Sequence, residues 1–178
     1  SINNEDENGV SGLIQNYRLI EDIDFSSADY GPYITGNFQG YIDGEYKGKI
    51  HRLKNIQGTS SVFKTFSKGT IKNLYVDKFS ITTSSQMIGF IERAEITDNI
   101  EISNIHINEM EITSSYSGGT PYIGGICGYI SSGSTSLADK IYVQNCSIQG
   151  LTIDFTNKNV TNIRVGGLVG HLYIYGGV

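Results

Sequence analysis

An all-β fold, a right-handed parallel β-helix (β-solenoid) with irregular repeats, is predicted by three observations. One phrase occurs three times without a gap: Ile71 to Ile81, Ile102 to Ile112 and Val143 to Ile153, with starts 31 and then 41 residues apart. Apolar residues share five columns of that alignment, and an asparagine (Asn73, Asn104, Asn145) holds the third. Each phrase is followed by a glycine-centred one, Met87–Ile91, Tyr122–Gly128 and Val165–Gly170. Self-similarity at such a period signals stacked repeats. Within a repeat, Leu74 and Val76 share a face, as do Phe79 and Ile81, which is the spacing of a strand. The step of three from Val76 to Phe79 keeps the inward face only if the chain bends between them. No 3.6-residue apolar period is visible.

Taken in order, residues 1–12 are acidic and polar and read as a disordered segment or linker, with 13–178 as the repeat domain of what looks like a piece of a longer protein. Tyr17 to Phe25 alternates well enough for a first strand. Residues Ser26 to Pro32 carry turn chemistry, and Phe38 to Gly44 is a strand expected to end at the Asp43-Gly44 turn. Two further short strands, Ile50–Leu53 and Val62–Phe66, precede a glycine turn at Gly69. From Ile71 the repeats take over, so equivalent side chains should stack in internal ladders: Leu74 with Ile105 and Cys146, Val76 with Ile107 and Ile148. A parallel connection of this kind is nearly always right-handed. The aligned asparagines suit a corner, because Asn tolerates the left-handed region and its amide can bond to the next copy. Polar stretches of varying length, 82–86, 114–121, 131–138 and 156–161, are the loops. The double glycines at 124–125 and 166–167 precede the inward residues Ile126 and Leu168 and read as sites of close backbone approach.

Composition excludes several functions. The 22 glycines of 178 residues exceed the usual share of about 7%. The net charge of −5 is scattered, so no basic stripe points to nucleic acid. No apolar run approaches the roughly 20 residues of a membrane span. Cys127 and Cys146 lack zinc-ligand spacing, and Cys146 falls in an apolar column, so both read as small hydrophobes. Neither GxGxxG, GxxxxGK[ST] nor GxSxG occurs.

The phrase from Asn145 to Ile153 followed by Val165–Gly170, with its weaker copies, resembles the GLUG-type repeat of bacterial surface and secreted proteins. The stretches Tyr17–Asp24, Phe38–Gly44, Lys49-Ile50, Phe63-Lys64 and Thr70–Leu74 resemble the non-catalytic N-terminal region of the IgA1-protease family of zinc metallopeptidases. Together these matches cover nearly all of residues 17–172. One departure is that the first repeat carries Ile88-Gly89-Phe90 in place of a double glycine. The family's HExxH signature is absent, so no catalytic residue carries over.

The remaining candidates are weighed on their chemistry. His51, His106 and His171 stand far apart in sequence, and His106, between two inward isoleucines, should face solvent. Glu21, Asp22, Asp24 and Asp43 form an N-terminal carboxylate group, with Asp22 and Asp24 on one strand face, the kind of pair a polysaccharide-degrading β-helix enzyme needs. They read more simply as a solvated face and a turn. Tyr33, Tyr41 and Tyr46 are the densest tyrosines, and Tyr116, Tyr122 and Tyr129 are the natural anchors beside the 114–121 and 131–138 loops. The expectation is therefore a non-enzymatic binding or scaffold module with no catalytic, metal or cofactor residues. It would be extracellular or on the surface of a bacterium, Gram-positive by the resemblance, and monomeric. Its partner would be a host protein such as immunoglobulin, or a glycan, with no nucleic acid and no membrane span. An adhesin or carbohydrate-binding module is the alternative, and a polysaccharide-degrading enzyme comes last.

Overall fold

The structure is a computed structural model that describes residues 4–5, 11–27, 34–132, 139–157, 160 and 162–174. Most of the 1–12 segment, Tyr33, and most of the 26–32 turn and the 131–138 loop lie outside the described residues. No α-helix occurs among the described residues; a single 3-10 turn spans Gly12–Ile14.

The other regular elements are strands, all but one hairpin arranged in four parallel sheets, and each of the three aligned repeats contributes to all four. The longest sheet runs Asn16–Arg18, Tyr41–Asp43, Gly69–Val76, Ile100–Ile107 and Ile141–Gln144, with Ile23–Asp24, Arg52–Lys54 and Ser147–Ile148 completing its second half. A second sheet runs Ile56–Gly58, Phe79–Thr83, Met110–Ser114 and Leu151–Phe155. The third, short sheet joins Met87–Ile88, Tyr122–Gly124 and Arg164–Gly166. The fourth joins Ile34–Phe38, Phe63–Phe66, Ile91–Ile96, Cys127–Ser132 and Val169–Tyr173.

The register is the one the repeated phrase implies. Ile71 pairs with Ile102 and Ile102 with Val143; Val76 pairs with Ile107 and Ile107 with Ile148; Ile81 pairs with Ile112 and Ile112 with Ile153. Inward columns of this kind make the core: Ile71, Ile102, Ile105 and Met110 are completely buried, and Cys146 packs against them. Burying one such aliphatic side chain stabilises by about 1.5–3 kcal/mol. Five phenylalanines, Phe38, Phe63, Phe66, Phe79 and Phe90, fill the interior of the earlier repeats with ring centroids 5.6–6.1 Å apart.

Two expectations about the early chain are corrected. The stretch from Tyr17 to Phe25 is not one strand but two, because its halves lie on different partners: Tyr17 pairs with Ile42, and Ile23 pairs with Leu53. The tight turn is not at Asp43-Gly44 but at Lys47-Gly48, where both residues have positive φ (51° and 76°). It closes an antiparallel hairpin, Glu45–Tyr46 with Lys49–Ile50, the one antiparallel strand pair among the described residues. Two adjacent positive φ values are the signature of a two-residue hairpin turn. The hairpin enters where later repeats carry their asparagine, and a bond of 2.8 Å from His51 N to Gly44 O closes its base.

The double glycine at 124–125 has the predicted architectural cause. A Cβ at Gly124 would lie 2.2 Å from the Cys127 carbonyl oxygen, and one at Gly125 would lie 1.7 Å from Ile148 Cδ1 of the following repeat. Ile126, next in line, is completely buried. Leu168, its expected inward counterpart, is instead 37% exposed, because among the described residues no strand covers the last repeat.

Candidate binding surface

The asparagine column is the first feature that reaches outward from the core. Asn73, Asn104 and Asn145 have φ of 57°, 53° and 50°, the left-handed region that bends the strand between its two halves. Their amides form a continuous ladder: Asn145 Nδ2 donates to Asn104 Oδ1 at 3.0 Å, and Asn104 Nδ2 to Asn73 Oδ1 at 2.7 Å. Asn73 Nδ2 donates to Asp43 Oδ1 at 2.9 Å, so the ladder ends on a carboxylate. Burial raises the Asp43 pKa, but bonds from Glu45 N, Asn73 and Tyr41 and the Lys72 charge outweigh it, leaving it below the usual value.

Beside the ladder stands an outward column from four successive strands, Arg52, Tyr75, His106 and Ser147, each paired with the next. The Arg52 guanidinium lies 5.6 Å from the Tyr75 ring centroid, and the His106 ring, tilted by 42°, has its centroid 4.8 Å from that of Tyr75. Arg52 also forms an ion pair of 2.5 Å with Asp77. The column lines a shallow cleft of about 330 Å³, together with Asp77, Asn108 and Gln149.

His106 does face outward, but it is half-buried and held at both nitrogens. The Asn104 oxygen can only accept, so His106 Nε2–H donates to it at 2.9 Å, and Nδ1 shares a hydrogen bond with the Ser147 hydroxyl at 2.7 Å. This Ser–His–Asn connectivity is that of a hydrolytic relay, and sequence reasoning missed it. The signal was in the alignment: 75, 106 and 147 occupy its fifth column. A relay also needs oxyanion donors beside the hydroxyl, and in its Ser–His–Asp form an anion behind the imidazole. Here Gln149 N and Asn108 N are spent on the Ile107 and Val76 carbonyls, at 2.8 Å each, and the residue behind is a neutral amide.

A second outward cluster lies on the third and fourth sheets. Tyr122 and Tyr129, two of the three expected anchors, meet with ring centroids 5.4 Å apart. His171 joins them, at 4.9 Å from Tyr122 and 5.3 Å from Tyr129, and Arg164 lies 5.5 Å over the Tyr122 ring. Arg164 Nη1 donates to His171 Nδ1 at 2.8 Å, so that nitrogen must be unprotonated. Desolvation and then the Arg164 charge push the His171 pKa below its ordinary value. Tyr116 does not join this cluster; it sits against Gly118, its carbonyl accepting from Asn157 Nδ2 at 3.4 Å.

The carboxylates do not form a working pair. Asp22 is engaged by Lys54 Nζ at 2.9 Å and Arg52 N at 3.0 Å, while Asp24 accepts from Ser26 N at 2.9 Å and Asn55 Nδ2 at 3.0 Å. Hydrogen bonds, from Lys54 and from Asn55 respectively, lower both pKa values. His51, the third histidine, is not solvated: it is buried with Nδ1 3.4 Å from Asp22, at ion-pair range but without hydrogen-bond geometry. Tyr41 donates to Asp43 Oδ2 at 3.0 Å, and Tyr46 sits on the hairpin under Lys47. Among the described residues, no three His, Cys, Asp or Glu side chains group at metal-binding range, and no helix is long and apolar enough to cross a membrane.

Comparison with known proteins adds one relative. No protein-family model matches the chain, and neither does any solved structure. Over 146 residues, 82% of its length, the chain is 26% identical to the immunoglobulin A1 protease of Streptococcus pneumoniae, and it spans 7% of that protein. It is thus a distant, partial relative of one region of that protease.

Proposed function

We propose that this chain is a non-catalytic binding and scaffold module of an exported bacterial surface protein, akin to the N-terminal region of IgA1-protease metallopeptidases. Its architecture in this reading is a right-handed β-solenoid with GLUG-type repeats, one section of a longer polypeptide, working outside the cell. The observation that carries the reading is the division of labour within each repeat. Inward columns are spent on packing, whereas the aromatic and polar side chains that vary between repeats gather in two outward clusters, around Tyr75 and His106 and around Tyr122, Tyr129 and His171. Exposed aromatic residues and arginine are what interfaces use as anchors. The relay-like Ser147, His106 and Asn104 act as a brace for the ring, since the surrounding N–H groups are already bonded.

The partner is a host protein such as immunoglobulin, or a glycan. The test is binding of the purified chain to immobilised immunoglobulin A1 and to a glycan panel, with Tyr75→Ala and with Tyr122→Ala/Tyr129→Ala. Loss of binding in one variant with an unchanged melting temperature identifies the face. Binding that survives both refutes the assignment of function to these clusters.

A further inference from the structure

The cleft beside Tyr75 has two walls, and the repeat builds both. One is the column Arg52, Tyr75, His106 and Ser147, carried on strands paired in register. The other is Asp77, Asn108 and Gln149, each two residues after its counterpart in the first column and so outward again. Between the walls, Val76 and Ile107 are each 1% exposed, so the floor is backbone and offers no aliphatic side chain. Its N–H groups are already used. Asp77 N, Asn108 N and Gln149 N donate to the Leu53, Val76 and Ile107 carbonyls at 2.8–3.0 Å. What remains for a ligand is side-chain chemistry. Among the described residues the Tyr75 hydroxyl and the amides of Asn108 and Gln149 bond to nothing, whereas Arg52 is tied to Asp77 and His106 to Asn104 and Ser147. The charges nearby cancel in place, Arg52 against Asp77 and Lys54 against Asp22.

We infer that this cleft binds a neutral, linear oligosaccharide laid along the stacking axis, an inference that rests on reading the Tyr75 cluster as a binding surface. The walls run across the strands, so each rung presents the same two positions again after about 4.8 Å. A pyranose chain advances by a comparable step per sugar, and its hydroxyls then meet one rung after another. Amide and phenol groups donate and accept, as sugar hydroxyls do. The cleft volume of about 330 Å³ suits a disaccharide segment, at the small end of ligand clefts, which span about 300–1,000 Å³. An extended peptide fits worse. Its side chains recur on one face every two residues, about 6.6 Å, out of step with the rungs. Its carbonyls would find the floor's N–H groups bonded, and no apolar hole receives an anchoring side chain. A polyanionic chain gains nothing from cations that are already paired.

The test titrates cellohexaose, N-acetylchitohexaose and hexagalacturonate into the isotope-labelled chain and follows amide shifts by NMR. The expected result is binding of a neutral hexamer with Kd of about 0.1–1 mM, shifts centred on 75–77, 106–108 and 147–149, and none with hexagalacturonate. Affinity should hold between about 0.05 and 0.5 M salt, because no net charge is neutralised. Asn108→Ala/Gln149→Ala removes two exposed amides that brace nothing in the fold, so binding should weaken about tenfold at an unchanged melting temperature. Tyr75→Phe keeps the ring beside Arg52 and His106 and should cost about threefold through the hydroxyl alone. No shift with either neutral hexamer, shifts that map to Tyr122 and Tyr129, or a preference for hexagalacturonate overturns the inference. Immunoglobulin A1 is the separating arm. If it binds, Tyr75→Ala abolishes that binding and neither neutral hexamer binds, the partner is a protein surface: the inference falls and the binding reading stands. If neither immunoglobulin nor hexamer binds, both fall.

Discussion

Replacing Asn104 interrogates the ladder at its centre. Its side chain makes three hydrogen bonds, to Asn73 at 2.7 Å, from Asn145 at 3.0 Å and from His106 at 2.9 Å, while its backbone holds φ of 53°. Each bond is worth about 0.5–1.5 kcal/mol net, and a β-carbon in the left-handed region costs a non-Asn residue about 1–2 kcal/mol. Asn104→Ala should therefore destabilise by about 3–5 kcal/mol, a large part of the roughly 5–15 kcal/mol of a typical domain. Asn104→Gly loses the same bonds but relieves the backbone, so it should recover about 1 kcal/mol of that loss. Urea unfolding followed by circular dichroism measures both, with unchanged m-values as evidence that the same structure unfolds. If Asn104→Ala unfolds within about 0.5 kcal/mol of the parent chain, or if glycine is worse than alanine, the ladder is decoration and the reasoning fails.

Three further outcomes are expected. Ile107→Asp, at a position 1% exposed between Val76 and Ile148, buries an unpaired carboxylate at a cost of several kcal/mol, so the variant should be largely unfolded at 37 °C by circular dichroism. The Asp43 pKa is lowered in the fold, so its contribution is present above the unfolded value of about 3.9 and is lost as pH falls through the folded one. The urea midpoint should drop in that acid window, less steeply in Asp43→Asn. His171, also lowered, adds an earlier loss that begins as pH falls below about 6.5, which His171→Gln should remove. Burial pushes the Cys127 thiol up to about 12 and raises that of half-buried Cys146 as well. Ellman's reagent on native protein at pH 8 should therefore modify Cys146 first and Cys127 only on unfolding, as mass spectrometry of the labelled peptides would show.

The parts of the fold legible in the sequence are those governed by local periodicity repeated in register. Aligning residues 71, 102 and 143 sufficed to place Leu74 over Ile105, Val76 over Ile107 and the asparagines in one column, because stacking converts sequence equivalence into spatial adjacency. The early chain resisted for the opposite reason. The hairpin at Glu45–Ile50 interrupts its repeat and has no counterpart among the described residues of the others, and the break between Arg18 and Ile23 is dictated by the two strands above. The candidate binding side chains were half legible. Tyr122 and Tyr129 were singled out, but Arg164 and His171 join them across some 40 residues, through pairings visible only once the glycine phrases are themselves aligned. The burial of His51 was not legible because it comes from the hairpin base, a feature that no repeat column encodes.

Binding without turnover is the centre of this account, and one titration reads both. The 178-residue chain is incubated with immunoglobulin A1, with and without added zinc, while association is followed by biolayer interferometry and the heavy chain by gel electrophoresis. The expected result is weak, reversible binding of about 1 μM or weaker, reduced by Tyr122→Ala/Tyr129→Ala or by Tyr75→Ala, over an intact heavy chain. Cleavage that needs zinc and disappears in His51→Ala, His106→Ala or His171→Ala would contradict it.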